Sequence, residues 1–203
     1  MITPSIQKKA IQDLSKKDPI LGKVIKKAGM VEFTQDESYF YSLVSSIVSQ
    51  QLSTKAADTI WKRFVELLPD GKVVPESVLK LEDQSIRDAG ISWSKIKYIK
   101  DLAQKTQDSG ILFEQFEIMT NEEIITELVK VKGIGRWTAE MFLMFAMQRP
   151  DVFSYGDLGL RRAIQNLYGM DHEPSLDEAE KISQKWMPYR TIASRYLWRS
   201  LEL

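Results

Sequence analysis

The chain has 203 residues, 43% of them hydrophobic, with 28 basic and 28 acidic side chains; this suits one large domain or two small lobes and gives the whole molecule no electrostatic footprint for nucleic acid. With no cysteine and a single histidine, His172, disulfides, cysteine-ligated zinc and iron–sulfur clusters are excluded, and any metal must bind through oxygen. No stretch has the apolar length of a membrane span, and the N-terminus, carrying Lys8 and Lys9, lacks the apolar run of a secretory signal. The reading is a soluble, intracellular protein.

In chain order, nearly every periodic segment has helical spacing, and there is no repeat, low-complexity stretch or clear linker. Tyr39, Leu43 and Ile47 recur every four residues beside Phe40, Val44 and Val48, and Ala57, Trp61, Phe64 and Leu68 repeat the pattern, which predicts two amphipathic helices. Lys95, Lys97 and Lys100 cluster, as do Lys130, Lys132 and Arg136, while acidic residues gather at 114–127 and 171–180. Such runs are the ordinary solvated faces of helices, although they leave room for one-sided charge. Thr120 with Glu123 and Ser175 with Glu178 have capping-box spacing, and Gly90 and Gly169 stand where left-handed C-caps would end helices. Pro75, Pro150, Pro174 and Pro188 fall between segments, where a missing amide is tolerated. The expectation is an all-α chain of about ten helices.

The most informative segment runs from Leu128 to Phe145, LVKVKGIGRWTAEMFLMF, in which one helix meets Gly133-Ile134-Gly135 and a second begins at once. Two glycines around one apolar residue allow positive φ and close approach of a ligand, and Ile134 can plug between the helices. Amides of this loop and of the next helical turn, from Arg136 to Thr138, then face outward as donors for an anion such as a DNA phosphate. A G-x-G alone reads more readily as a tight helix–turn–helix corner with no ligand.

GIGRWTAE, a hydrophobic helix, and then DVFSYGDLGLRRAI together resemble the helix-hairpin-helix and Gly/Pro-rich-loop-Asp signature of the DNA glycosylases. The chain is most similar to the 3-methyladenine DNA glycosylase II branch through SIVSQQLSTKAA at 46–57, GISWSKIKYI at 90–99 and KWMPYRTIASRYLW at 185–198. It would be a minimal form without the N-terminal β-domain of larger members. The resemblance implies a two-lobed helical fold with a cleft between the lobes: a middle lobe over 32–149 ending in the hairpin, and a second lobe from 1–31 with 150–203. It implies removal of alkylated purines, of the 3-methyladenine and 7-methylguanine type, from double-stranded DNA in base excision repair, leaving an abasic site.

By the resemblance Asp157 is the essential carboxylate; by itself it reads as the N-cap of a helix over 158–168. Asp151 is its nearest competitor, but it directly follows Pro150 and lies outside the motif. Trp137 and Trp198 align with aromatic positions of the base pocket, where an electron-rich face attracts a cationic base, with Phe40 as a third wall; core packing competes for each. Met141 stands where the family often has a tyrosine. Trp137 also occupies the place of the lysine with which bifunctional members form a Schiff base, so no lyase activity is expected. Gln51, with Leu52 beside it, sits where relatives insert a side chain into the stack, and both could equally be solvated loop residues. Ser94 and Lys95 would hold a second phosphate at a helix start, and Trp93 would probe the minor groove or cover the core. No cofactor is required, although the family's hairpin commonly holds Na+ or K+ through main-chain oxygens, here those of Val129, Val131 and Ile134. The expected protein is a monomer, cytoplasmic at the nucleoid in a prokaryote or nuclear in a eukaryote. A DNA-binding hairpin module without catalysis, or a glycosylase for oxidised or deaminated bases, are the alternatives.

Overall fold

The computed structural model describes residues 1–34 and 38–203, and among these it contains helices and no strand. The elements are α1 (Pro4–Lys17), α2 (Pro19–Ala28), α3 (Tyr39–Ser49), α4 (Thr54–Glu66), α5 (Pro75–Lys80), α6 (Asp83–Asp88), α7 (Trp93–Gln107), α8 (Asn121–Leu128), α9 (Arg136–Phe145), α10 (Leu158–Tyr168), α11 (Leu176–Gln184) and α12 (Arg190–Ser200). Short 3-10 turns occupy Pro69–Gly71 and Phe113–Gln115. Among the described residues twelve α-helices thus stand where about ten are expected from periodicity. α5 and α6 have six residues each, too short for an apolar stripe to repeat.

The helix ends follow local chemistry. Thr120 and Ser175 each close a full capping box, with Glu123 and Glu178 reaching back to the cap amide, at the starts of α8 and α11. Gly169 ends α10 in the left-handed region at φ 64°. Ser38, Ser53 and Ser92 cap α3, α4 and α7 through their hydroxyls.

The chain packs as two units, Met1–Gln35 with Leu143–Leu203, and Asp36–Phe142. The expected limits are 31/32 and 149/150; the first unit takes in the end of α9 and the loop after it, because Arg149 donates its amide to Leu143 and Thr191 on α12 bonds the loop at Arg149, Pro150 and Val152. The core of the first unit joins α1, α2, α10 and α12 through Leu14, Leu21, Leu160, Ile164, Trp186, Ile192 and Tyr196. In the second unit α7 packs on α3, α5 and α6, burying Ile96, Ile99 and Leu102 completely. Tyr39, Phe116 and Phe142 form an aromatic cluster, with ring centroids 5.4 Å apart for Tyr39–Phe142 and 6.1 Å for Phe116–Phe142.

Candidate active site

In the first unit the loop from Pro150 to Gly156 delivers Asp157 to the start of α10. Asp151 forms a bidentate pair with Arg190 at 2.8 and 3.0 Å, and Thr191 accepts the Val152 amide at 3.0 Å, so the loop is stapled to the first turn of α12. That pairing gives Asp151, the competing carboxylate, a structural partner. Asp157 is the N-cap of α10, and its Oδ1 accepts from the Leu160 amide at 2.8 Å. The same oxygen accepts the indole N–H of Trp198 at 2.9 Å. The expectation of an N-cap is met, and the capping side chain is that of a residue only 9% exposed at a helix N-terminus, where the macrodipole favours negative charge.

Three residues that sequence reasoning passed over complete this arrangement. Phe145 stacks on Trp198 with centroids 5.7 Å apart and planes inclined 26°. Arg195, one turn before Trp198 on α12, places its guanidinium 5.0 Å from the Phe145 centroid and 5.5 Å from that of Phe33, and donates to the Glu32 carbonyl at 3.0 Å. Gly159 lets the indole approach, since a Cβ there would lie 3.1 Å from both Asp157 Oδ1 and Trp198 Nε1. Only the i, i+3 spacing of Arg195 and Trp198 was readable beforehand. A recess of about 340 Å³ opens along Val31, Phe145, Arg195 and Trp198.

In the second unit α8 and α9 are joined by the predicted tight loop. Gly133 has φ +80°, and a Cβ on it would fall 2.1 Å from Cδ2 of Tyr98, so both conformation and space demand glycine. Ile134 is 3% exposed and plugs the turn as expected, its amide donating to the Val131 carbonyl at 3.1 Å. Asp101 on α7 accepts the Lys132 amide at 2.9 Å. The ladder of α9 opens with the Ala139 amide bonded to Gly135 at 3.0 Å, so the turn from Arg136 to Thr138 has the outward amides of a helix start.

A recess of about 650 Å³ lies against this hairpin, lined by Ser46, Ser49, Gln50, Gln51, Leu52, Gly133, Trp137 and Thr138. It brings together the expected wedge residues, the first hairpin glycine and the expected pocket tryptophan, which is 47% exposed. Gln51 is exposed at φ +58°, a left-handed conformation uncommon for a residue other than glycine. Gln50 closes the recess by donating from Nε2 to the Gly133 carbonyl at 3.1 Å. Met141 is half-buried one turn after Trp137.

Other expected site residues are placed differently. Phe40 is 4% exposed and belongs to the core, because it falls on the inward stripe of α3 with Leu43, Val44 and Ile47. Ser94 is exposed in the first turn of α7, with Trp93 beside it 48% exposed. Lys95, expected on a phosphate, turns its ammonium to the carbonyls of Val48 and Gln50 at 2.7 and 2.6 Å. Burial pushes that ammonium below the ordinary lysine range. Arg136 forms a bidentate pair with Glu122 at 3.0 and 2.6 Å and bonds Glu140 at 3.0 Å. The Glu122 bonds hold the guanidinium above its ordinary range and the Glu122 carboxyl below its own. Among the described residues no group of His, Cys, Asp and Glu could hold a metal ion.

A glycine hairpin with outward amides, and a capped, nearly buried aspartate under a tryptophan, are the local features that known proteins can be compared on. The family model for HhH-GPD superfamily base excision DNA repair proteins matches residues 44–189. The chain is 34% identical over 173 residues to the putative DNA-3-methyladenine glycosylase YfjP of Bacillus subtilis, a match over 82% of this chain and 60% of that protein. It is 36% identical over 167 residues to DNA-3-methyladenine glycosylase 1 of Schizosaccharomyces pombe, covering 81% of this chain and 73% of the relative. The solved structure of the S. pombe 3-methyladenine DNA glycosylase Mag1 in complex with abasic DNA superposes with a TM-score of 0.86 at 33% identity, over 96% of this chain and 97% of that one. With the hairpin and the aspartate loop both inside the matched span, the chain belongs to the HhH-GPD superfamily of base excision DNA repair proteins.

Proposed function

We propose that this protein is a monofunctional DNA N-glycosylase that hydrolyses the N-glycosidic bond of alkylated purines in double-stranded DNA. The observation that carries the reading is Asp157, held through one oxygen by the Leu160 amide and the Trp198 indole. Cleavage of the C1′–N bond sends its electron pair out with the base and leaves oxocarbenium character on the sugar. A fixed carboxylate stabilises that charge, and it accepts the proton of the water whose oxygen then bonds C1′. A base alkylated on a ring nitrogen is already a good leaving group, so no strong general acid is needed. Trp198, bonded to Asp157, is an electron-rich aromatic of the kind that attracts a cationic base. Trp137 cannot form the Schiff base of a lyase, so the product is an abasic site in an uncut strand.

Several relatives, the two compared above among them, are named for 3-methyladenine, and the matched S. pombe structure carries abasic DNA. The partner is duplex DNA bearing an alkylated base, met by a monomer in whichever compartment holds the DNA. Among the described residues no helix is long and apolar enough to cross a membrane. Carbonyls of the hairpin at Val129, Val131 and Ile134 are neutral oxygen donors that suit Na+ or K+. Such an ion would add positive charge beside a bound phosphate.

The test is release of free base from duplexes containing 3-methyladenine or 7-methylguanine, by wild type and by Asp157→Asn. Asparagine caps a helix as well as aspartate does, so the fold is retained while the charge is lost. Release should fall by about 100-fold or more. Undiminished release would refute the mechanism, and DNA binding without release by wild type would make the protein a binding module.

A further inference from the structure

α7 carries Lys95, Tyr98 and Asp101 three residues apart, a spacing that sets them along one face of the helix. Each grips a loop that lines the larger recess. Lys95 donates to the carbonyl of Val48 in the last turn of α3 and to that of Gln50, its C-cap. The Tyr98 ring occupies the space a side chain at 133 would need, and Asp101 holds the Lys132 amide. Gln50 joins the two loops by donating to the Gly133 carbonyl. One helix face thus clamps the loop carrying Gln51 and Leu52 to the hairpin.

Within that clamp Lys95 has the most specific task. Its ammonium ends α3, where the helix dipole is negative, and it holds the carbonyl immediately before the strained Gln51. An ammonium spent on two carbonyls inside the protein has little left for a phosphate. We infer that Lys95 is a positioning residue: without touching DNA, it fixes the loop so that Gln51 and Leu52 stand ready to fill the stack when a base is extruded. This inference rests on the glycosylase reading.

The experiment compares Lys95→Met, which keeps the apolar stem, with Lys95→Arg, which keeps a cation. Single-turnover base release by Lys95→Met should fall about 10- to 100-fold, as expected when a reacting group is displaced by roughly an ångström. Lys95→Arg should recover part of the loss. Affinity for undamaged duplex, and its slope against salt, should stay at the wild-type value. A slope shallower by about one would mark a lost phosphate contact and overturn the inference. Hydrogen exchange across 48–53 should quicken in Lys95→Met, and exchange at the wild-type rate would also overturn it. Adding Lys95→Met to Gln51→Ala should cost little more, since both act through the same loop; full additivity would count against the clamp. If wild type releases no base, the glycosylase reading fails, while the exchange measurement still decides whether Lys95 orders the loop. Should methionine at 95 unfold the unit, Gln50→Met cuts the tie to Gly133 and carries the same expectation for rate and affinity.

Discussion

At the scale of single residues, the orientation of Asp157 depends on a side chain that is missing. Gly159 lies in the first turn of α10, and a methyl there would press on both Asp157 Oδ1 and the Trp198 ring at 3.1 Å. Gly159→Ala therefore sets two effects against each other. Alanine in place of glycine favours the helix by up to about 1 kcal/mol. The added methyl displaces Trp198 from the carboxylate by a few tenths of an ångström, weakening the hydrogen bond that aims it. Base release should fall several-fold while the melting temperature holds or rises, a pairing that simple destabilisation cannot produce. A loss of activity that tracks a loss of stability would assign Gly159 to packing alone. The residues D-L-G-L show a cap and a helix start, but the approach of Trp198, 39 residues further on, belongs to the tertiary structure. Asp157 and Trp198 were legible as a pair only through the family pattern; Phe145 and Arg195 carry no such mark.

At the scale of elements, Asp18 joins more helices than any capping rule requires. Its amide closes α1 on Leu14, its Oδ1 accepts the Ile20 and Leu21 amides of α2, and its Oδ2 takes the Tyr168 hydroxyl of α10 and the Trp186 indole, the latter at 2.9 Å. Burial alone would raise the carboxyl, but these donors and nearby Lys185 outweigh it and hold Asp18 below the ordinary aspartate range. A folded value below the unfolded one adds stability that is present above about pH 4 and is lost as pH falls through the folded value. Asp18→Asn keeps a good cap but loses the charge that the hydroxyl and indole were donating to. It should lower stability at neutral pH by about 2–4 kcal/mol, since hydrogen bonds to a buried charged group are the strong ones. The difference in melting temperature between wild type and variant should shrink from pH 5 to pH 3. A constant difference would mean that the charge is unimportant. The Asp18-Pro19 cap was readable from sequence in principle, whereas its partners 150 and 168 residues away were not. The same limit divides the helices: α3, α4 and the capping boxes of α8 and α11 announce themselves within a few residues, while α5 and α6 exist because α7 gives them a surface to pack on.

At the scale of the whole molecule, a net charge of zero makes nucleic-acid binding hard to read, and the basic cluster at 130–136 is one of two runs that leave room for one-sided charge. The structure shows that cluster already engaged: Lys130 with Glu127 at 2.6 Å, Lys132 near Asp101 at 3.8 Å, and Arg136 with Glu122 and Glu140. A phosphate gripped at the hairpin, as proposed, would then meet chiefly main-chain amides, which position the backbone without releasing counterions as cations do. The Glu122–Arg136 pair is largely exposed, with 69% and 58% of the side chains accessible, so a phosphate can compete with Glu122 for the guanidinium. Glu122→Gln removes the charge that occupies the fork while keeping the length of the side chain. Arg136 should then become available to a phosphate, and affinity for undamaged duplex at low salt should rise several-fold. The slope of log affinity against log salt should steepen by about one. Because this gain is independent of sequence and of the lesion, the ratio of damaged to undamaged binding should fall. If affinity and slope both stay at the wild-type values, Arg136 is a structural brace between α8 and α9, and the hairpin grips DNA through its backbone alone.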